Sequence, residues 1–240
     1  MNFEAPTKLT RANALVHGMG GAGKTRFSIT ARPLGNLLHL DIEGGTMSIM
    51  EEISTGLIQS MRIEQYAQFV TVMKELKMGG HGFETLVVDS GTELQKLYLD
   101  MIVEKDIPTL QDYGKLSNET RKSLRFLRDL DINLIYICLS KDEKDEQFGS
   151  MVRKPSLTGK LPEEAAGYLD LVLYITTKEV DGKLERVAVT QPTERLVAKD
   201  RSGKLERYEK PDFALIHGKI FGDVAQAKAK PAKDKGGKKA

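Results

Sequence analysis

Eight consecutive residues, Gly18-Met19-Gly20-Gly21-Ala22-Gly23-Lys24-Thr25, concentrate the chemistry of this chain. They follow the apolar segment Ala14-Leu15-Val16 and lead into a helix-compatible run, so a G-x-x-x-x-G-K-[ST] phosphate-binding pattern stands between strand and helix. Phosphate oxygens must be met by several backbone N–H groups at once, and side chains would block that approach. Gly18, Gly20, Gly21 and Gly23, with the small Ala22, leave the loop bare, and the following helix offers its unpaired amino-terminal amides to the anion. Lys24 brings a mobile positive charge to the β and γ phosphates. Thr25 offers a hydroxyl to the magnesium ion that travels with ATP, and Arg26 completes the candidate nucleotide-binding set.

Two carboxylates stand where such a loop needs them. Leu37 to Ile42 is a short apolar run opening into Glu43-Gly44-Gly45, as expected of a buried parallel strand whose carboxyl end faces a ligand. Glu43 there could orient and deprotonate a water molecule; a solvated loop acid is the other reading. Phe83 to Val88 is an apolar strand ending in Asp89-Ser90, the Walker B pattern, in which Asp89 holds the magnesium hydration shell opposite Thr25. Ile132 to Leu139 is a further buried strand, and Ser140 just after it is a candidate sensor beside the γ phosphate.

Other polar groups carry weaker signals. Between Lys141 and Lys160, Phe148 lies near Arg153, Lys154 and Lys160, a mixture that grips single-stranded nucleic acid by stacking and phosphate contacts. The acids Asp142, Glu143, Asp145 and Glu146 fit a charged surface hairpin equally well. Lys199 and Arg201 follow a late apolar stretch, where they could reach a neighbouring subunit's nucleotide or be plain surface charges. Arg121, Lys122, Arg125 and Arg128 decorate one helix and read as a solvated face, while His81 reads as part of a surface turn.

The elements that must position these groups alternate between apolar strands and amphipathic helices, the pattern of an α/β fold with a parallel sheet. Helices are expected over Thr25 to Ala31, stopping before Pro33, and over Ile63 to Leu76, Leu94 to Val103, Asn118 to Leu130 and Pro162 to Tyr168. Thr46 to Lys77 is mixed apart from the helix it contains, and Asp106 to Gly114 reads as a polar turn around Pro108. Leu169 to Thr176 and Glu185 to Gln191 form antiparallel strands joined at Asp181-Gly182, and Phe213 to Phe221 closes the fold. The chain has 240 residues, enough for one domain with a sizeable core; the expected division is a lead-in over 1–11, the ATPase domain over 12–223 and a disordered tail over 224–240.

Net charge is +2, but six lysines after Ala227 stand against Asp234, so the rest of the chain is net negative and is not a general polyanion binder. The lone Cys138 sits in an apolar run as a core residue, and no segment has the length and character of a signal peptide or membrane span, so a cytoplasmic location is expected.

Taken together, Gly18 to Thr25, Asp41-Ile42-Glu43-Gly44-Gly45 and Leu86-Val87-Val88-Asp89-Ser90 resemble the RecA-type ATPase core. That resemblance implies a RecA-like P-loop fold with antiparallel strands appended on the carboxyl-terminal side. It also implies that Glu43 primes water, Lys24 acts with it in catalysis, and the segment from Lys141 to Lys160 is a DNA-binding loop. Adding Pro155 to Lys160, the turn at Asp170 and Ala198-Lys199-Asp200-Arg201, the chain is similar to the phage-encoded Sak group of single-strand annealing proteins. The implied partners are single-stranded DNA, a single-strand-binding protein and further copies of the chain, in a bacterial host cytoplasm. Two other readings stay open: a nucleotide-gated adaptor such as a helicase loader, and a P-loop kinase of a small molecule, for which neither an arginine-rich lid nor an acceptor pocket is evident.

Overall fold

Alternation along the strands assigns the two faces of the sheet. In β1 (Asn13–Gly18) Leu15 packs into one apolar cluster while Ala14 and Val16 pack into another. In β5 (Asn133–Lys144) Leu134, Tyr136 and Cys138 join the first, and Ile135 and Ile137 the second. A strand with apolar residues at both parities must be covered on both sides. The computed structural model, which describes residues 10–103, 107–144 and 149–222, meets that demand. The first face is covered by α3 (Tyr66–Met78), α4 (Gly91–Ile102), α5 (Leu110–Arg128) and α6 (Leu161–Tyr168). The second is covered by α1 (Lys24–Ser28), the 3-10 turn Ile29–Leu34 and α7 (Phe213–Phe221). A short α2 (Met50–Ser54) caps the edge of that layer.

The remaining strands are β2 (Leu37–Asp41), β3 (Gln59–Arg62), β4 (Thr85–Asp89), β6 (Met151–Pro155), β7 (Leu171–Val180), β8 (Lys183–Val189), β9 (Lys199–Asp200) and β10 (Tyr208–Glu209). Their order is β10-β8-β7-β1-β5-β4-β2-β3, parallel from β7 to β3, with β8, β9 and β10 antiparallel and β6 forming a hairpin with β5. This is a mostly parallel α/β sheet with antiparallel strands on its carboxyl-terminal side, the order expected from the sequence. The parallel arrangement brings the carboxyl ends of β1, β2 and β4 to one edge, where their loops meet.

Several boundaries differ from the sequence expectations for local reasons. The helix after the phosphate loop is α-helical only to Ser28 and continues as a 3-10 turn that contains Pro33, with no break before the proline. β3 is an edge strand of polar, largely exposed residues, so it carries no period-2 apolar signal. α5 starts at Leu110, because Thr109 and Asp112 form a reciprocal capping box that begins the helix within the stretch expected to be a turn. The Asp181-Gly182 turn holds as expected, with φ of 50° and 75°. The lead-in up to Leu9, Phe148, and the tail from Asp223 lie outside the described residues.

Candidate nucleotide site

The phosphate loop leaves β1 at Gly18, where a Cβ would stand 2.7 Å from the carbonyl oxygen of Ile175 on β7, so the strand pair closes only over glycine. Gly23, at φ +96°, turns the loop into α1 in a conformation that favours glycine. Lys24 is 8% exposed, and its Nζ donates to the carbonyls of Gly18 and Met19 at 3.0 and 2.9 Å. Burial pushes its pKa below the ordinary lysine value, with the charges of Glu43 and Asp89 acting the other way.

Asp89, buried at the end of β4, accepts a hydrogen bond from Thr25 Oγ1 at 2.6 Å on its Oδ2. His39 Nε2 stands 3.5 Å from the same oxygen. Among the described residues no cluster of three or more His, Cys, Asp or Glu side chains could hold a metal alone. The Thr25 hydroxyl and the Asp89 carboxylate are hard oxygen donors, a set that fits magnesium taking its other ligands from phosphates and water.

Glu43 is placed by the strand ends around it. The N–H groups of Ile42 and Glu43 both donate to the Asp89 carbonyl, at 2.6 and 3.2 Å, which stitches the exit of β2 to the exit of β4. Asp41 Oδ1 accepts from the Gly44 N–H at 2.7 Å, and Arg62 Nη1 donates to Asp41 Oδ2 at 3.2 Å. The Glu43 side chain is exposed on the wall of a cleft of about 490 Å³ that is also lined by Gly20, Gly21, Gly23, Lys24, Thr25 and Asp89. Arg26 lines this cleft too, with Nη1 donating to the Ser48 carbonyl and to Glu52. Two lining residues, Ser48 and Arg186, were not singled out from the sequence. Arg186 of β8 reaches the loop from the appended hairpin.

A family model described as an AAA domain matches residues 10–202. The chain belongs to this family. It is thus an AAA-type P-loop NTPase domain, within which Gly18 to Thr25 carry the G-x-x-x-x-G-K-[ST] pattern. Among solved structures, a KaiC-like protein from the hyperthermophilic archaeon Pyrococcus horikoshii OT3 is similar, at 14% identity and a TM-score of 0.41, over 74% of this chain and 77% of that one. No curated protein shows a significant match. No helix among the described residues is long and apolar enough to cross a membrane.

The other candidate residues of this AAA domain fall elsewhere. Ser140 follows Leu139, the partner of Gly18 in the β1–β5 register, yet it does not line the cleft. Its hydroxyl is 2.9 Å from His17 Nδ1, while His17 Nε2 is 2.8 Å from the Val197 carbonyl. Arg153 and Lys154 do not form an open basic surface. Arg153 donates twice to Asp142, each at 2.7 Å, and once to the Tyr174 hydroxyl; Lys154 is buried between Glu143 and Glu163 at 3.0 Å each. The β5–β6 register causes this, since it sets Asp142 opposite Arg153. The segment is thus a charged hairpin, and of the three cations only Lys160 is exposed without an ion pair among the described residues.

Lys199 and Arg201 sit beside the first residues of β7, at the amino end of the parallel strands and away from the phosphate loop. Lys199 Nζ donates to the carbonyls of Ala166 and Leu169, and Arg201 pairs with Asp170 and donates to the Gly167 carbonyl. Both cations close the end of α6 in their own chain. The basic helix face is likewise engaged: Arg121 pairs with Glu164, Arg125 donates to the Tyr168 hydroxyl and Arg128 pairs with Asp129. His81 stays in its turn, where Nδ1 accepts from the Phe83 N–H at 3.0 Å.

His17 gives a prediction independent of nucleotide. It is fully buried, and burial, reinforced by the charges of Lys24 and Arg153, lowers its pKa to about 4 against the Val197 hydrogen bond. The unfolded chain therefore binds a proton near pH 6.5 that the folded chain refuses until about pH 4. Stability is undiminished above pH 6.5 and falls as pH drops through that window, by roughly 3 kcal/mol at about 1.4 kcal/mol per tenfold change in proton affinity. Urea melts between pH 7 and 4 should show a steeper loss for the parent than for His17→Gln; parallel curves would contradict this assignment.

Proposed function

We propose that this AAA domain is a magnesium-dependent ATPase in which Glu43 primes the attacking water. What carries the reading is that Lys24, Thr25, Asp89 and Glu43, brought by three separate strands, line one cleft. The loop amides and Lys24 would hold the phosphate chain in a fixed line, and Thr25 and Asp89 would hold magnesium, which would supply charge stabilisation at the phosphates. Glu43 accepts a proton as the water oxygen attacks the γ phosphorus. The bond from that phosphorus to the bridging oxygen breaks, and its electron pair leaves on ADP. Release of phosphate, dependent on added magnesium, tests this directly.

The proposal extends to single-stranded DNA as the polymer that stimulates turnover. Its support is the resemblance to annealing proteins, together with an exposed Lys160 just before α6. One observation favours a nucleotide-gated adaptor instead: Arg153 and Lys154 already have carboxylate partners, which a polynucleotide would have to displace. Hydrolysis measured with and without single strands separates the two. Stimulation of severalfold at low salt, fading as salt rises, supports the DNA reading. A flat response with ATP still bound supports the adaptor, and labelled phosphate appearing on a small molecule would point to a kinase.

A further inference from the structure

Two polar side chains, His39 of β2 and Ser60 of the edge strand β3, stand behind the phosphate cleft without lining it. Strand pairing puts them there. His39 lies opposite Val87 of β4 on one side and opposite Ser60 on the other, while Asp41 lies opposite Asp89. Side chains two residues apart on a strand share a face, so His39 is the diagonal neighbour of Asp89, on the face of the sheet that α1 covers.

His39 is 1% exposed, and its neighbours on that face include the core residues Leu37 and Val87. A ring with two polar nitrogens is costly in such a place unless both are partnered. Nδ1 is 3.1 Å from Ser60 Oγ, and Nε2 is 3.5 Å from Asp89 Oδ2. An ionised carboxylate only accepts, so the ring proton lies on Nε2 and Nδ1 accepts from the Ser60 hydroxyl. The line of donors therefore runs from Ser60 through His39 to Asp89.

Asp89 is itself buried and faces a second carboxylate, Asp41, across the β2–β4 ladder. Asp41 is held by the Gly44 N–H and Arg62. Among the described residues, Asp89 receives side-chain donors only from Thr25 and His39, both on Oδ2, which leaves Oδ1 without one. Thr25 serves two ends, since its oxygen is also a candidate metal donor. His39 contacts Asp89 and no other group of the cleft.

We propose that His39 is a positioning residue of the magnesium site: it fixes the Asp89 carboxylate from behind, and Ser60 fixes its ring in turn. The inference rests on the ATPase reading of the cleft. His39 touches neither nucleotide nor ion in this role, and loss of such a support lowers metal affinity by about 10- to 100-fold.

Calorimetric binding of ATP to the full chain, over a magnesium series and in chelator, tests it. His39→Leu, which refills the space without a donor, should raise the half-saturating magnesium concentration about tenfold or more while ATP affinity in chelator stays at the parent level. The chelator measurement also reports that the variant is folded. His39→Gln, whose side-chain N–H can still reach Asp89, should recover part of the loss. Ser60→Ala, at a partly exposed edge position, should shift the requirement the same way by about threefold. In Asp89→Ala the support has nothing to hold, so adding His39→Leu should change the magnesium dependence no further. A parent-like magnesium requirement in both His39→Leu and Ser60→Ala overturns the proposal. Equal losses with and without magnesium, or an added defect on top of Asp89→Ala, make His39 a packing residue and overturn it too. ATP binding by Lys24→Ala, or a parent whose ATP affinity ignores magnesium, overturns the reading beneath it instead.

Discussion

Lys24→Ala should abolish ATP binding, by about a hundredfold or more in affinity. The side chain is buried to 8% exposure among loop carbonyls, and it is the cation that the loop's own geometry delivers to the phosphates. Removing it leaves several negative phosphate oxygens facing Glu43 and Asp89 without a compensating charge. Lys24→Met, which keeps the apolar stem, should fail equally and so separates charge from packing. The same group sets a pH dependence. Lys24 must be protonated to hold phosphate, and burial lowers its pKa, so affinity should fall on alkaline titration before ordinary lysines lose their protons. Titration of ATP into each variant by calorimetry reads all of this, and full affinity in Lys24→Ala would remove the central assignment.

Glu43→Gln should leave ATP bound within a few-fold of the parent while lowering kcat by about 10²- to 10⁴-fold, the usual scale of a lost general base. The substitution keeps side-chain size and does not touch what positions the loop, because the stitching is by the backbone of Ile42 and Glu43 to Asp89 and by Asp41 to Gly44. Asp89→Asn behaves differently. It weakens the partner of Thr25, so its defect should appear as a higher magnesium requirement. Single-turnover hydrolysis distinguishes the two variants. A parent with no turnover, indistinguishable from Glu43→Gln even with single strands present, would move the protein to the adaptor class.

The chemistry of the phosphate end is legible in the sequence because each part is local. Gly18 to Thr25 specify their own loop, and Asp89 and Glu43 each end an apolar run. In a parallel sheet, groups at strand ends must meet at one edge, so three short segments predict one cleft. Residues that act through partners distant in sequence were not legible. Arg62 secures the Glu43 loop from a polar edge strand, and His39 approaches Asp89 from a position that reads as core. Arg186 reaches Gly23 only because β7 pairs with β1 and carries β8 beside it.

The same limit governs the charges. Arg153, Lys154, Lys199 and Arg201 have the residue types of a nucleic-acid or phosphate contact, and sequence assigns them that potential. Whether a cation is free depends on which carboxylate or carbonyl the fold sets opposite it. The β5–β6 register gives Arg153 to Asp142, α6 gives Glu163 to Lys154, and the end of α6 takes Lys199 and Arg201. The sequence by itself determined the phosphate-loop pattern, the acids at the strand ends beside it and the α/β order that joins them, since those depend on local pattern and strand polarity. Tertiary structure alone decided which charged side chains remain available to a ligand, because pairing is a property of register and packing between segments far apart in the chain.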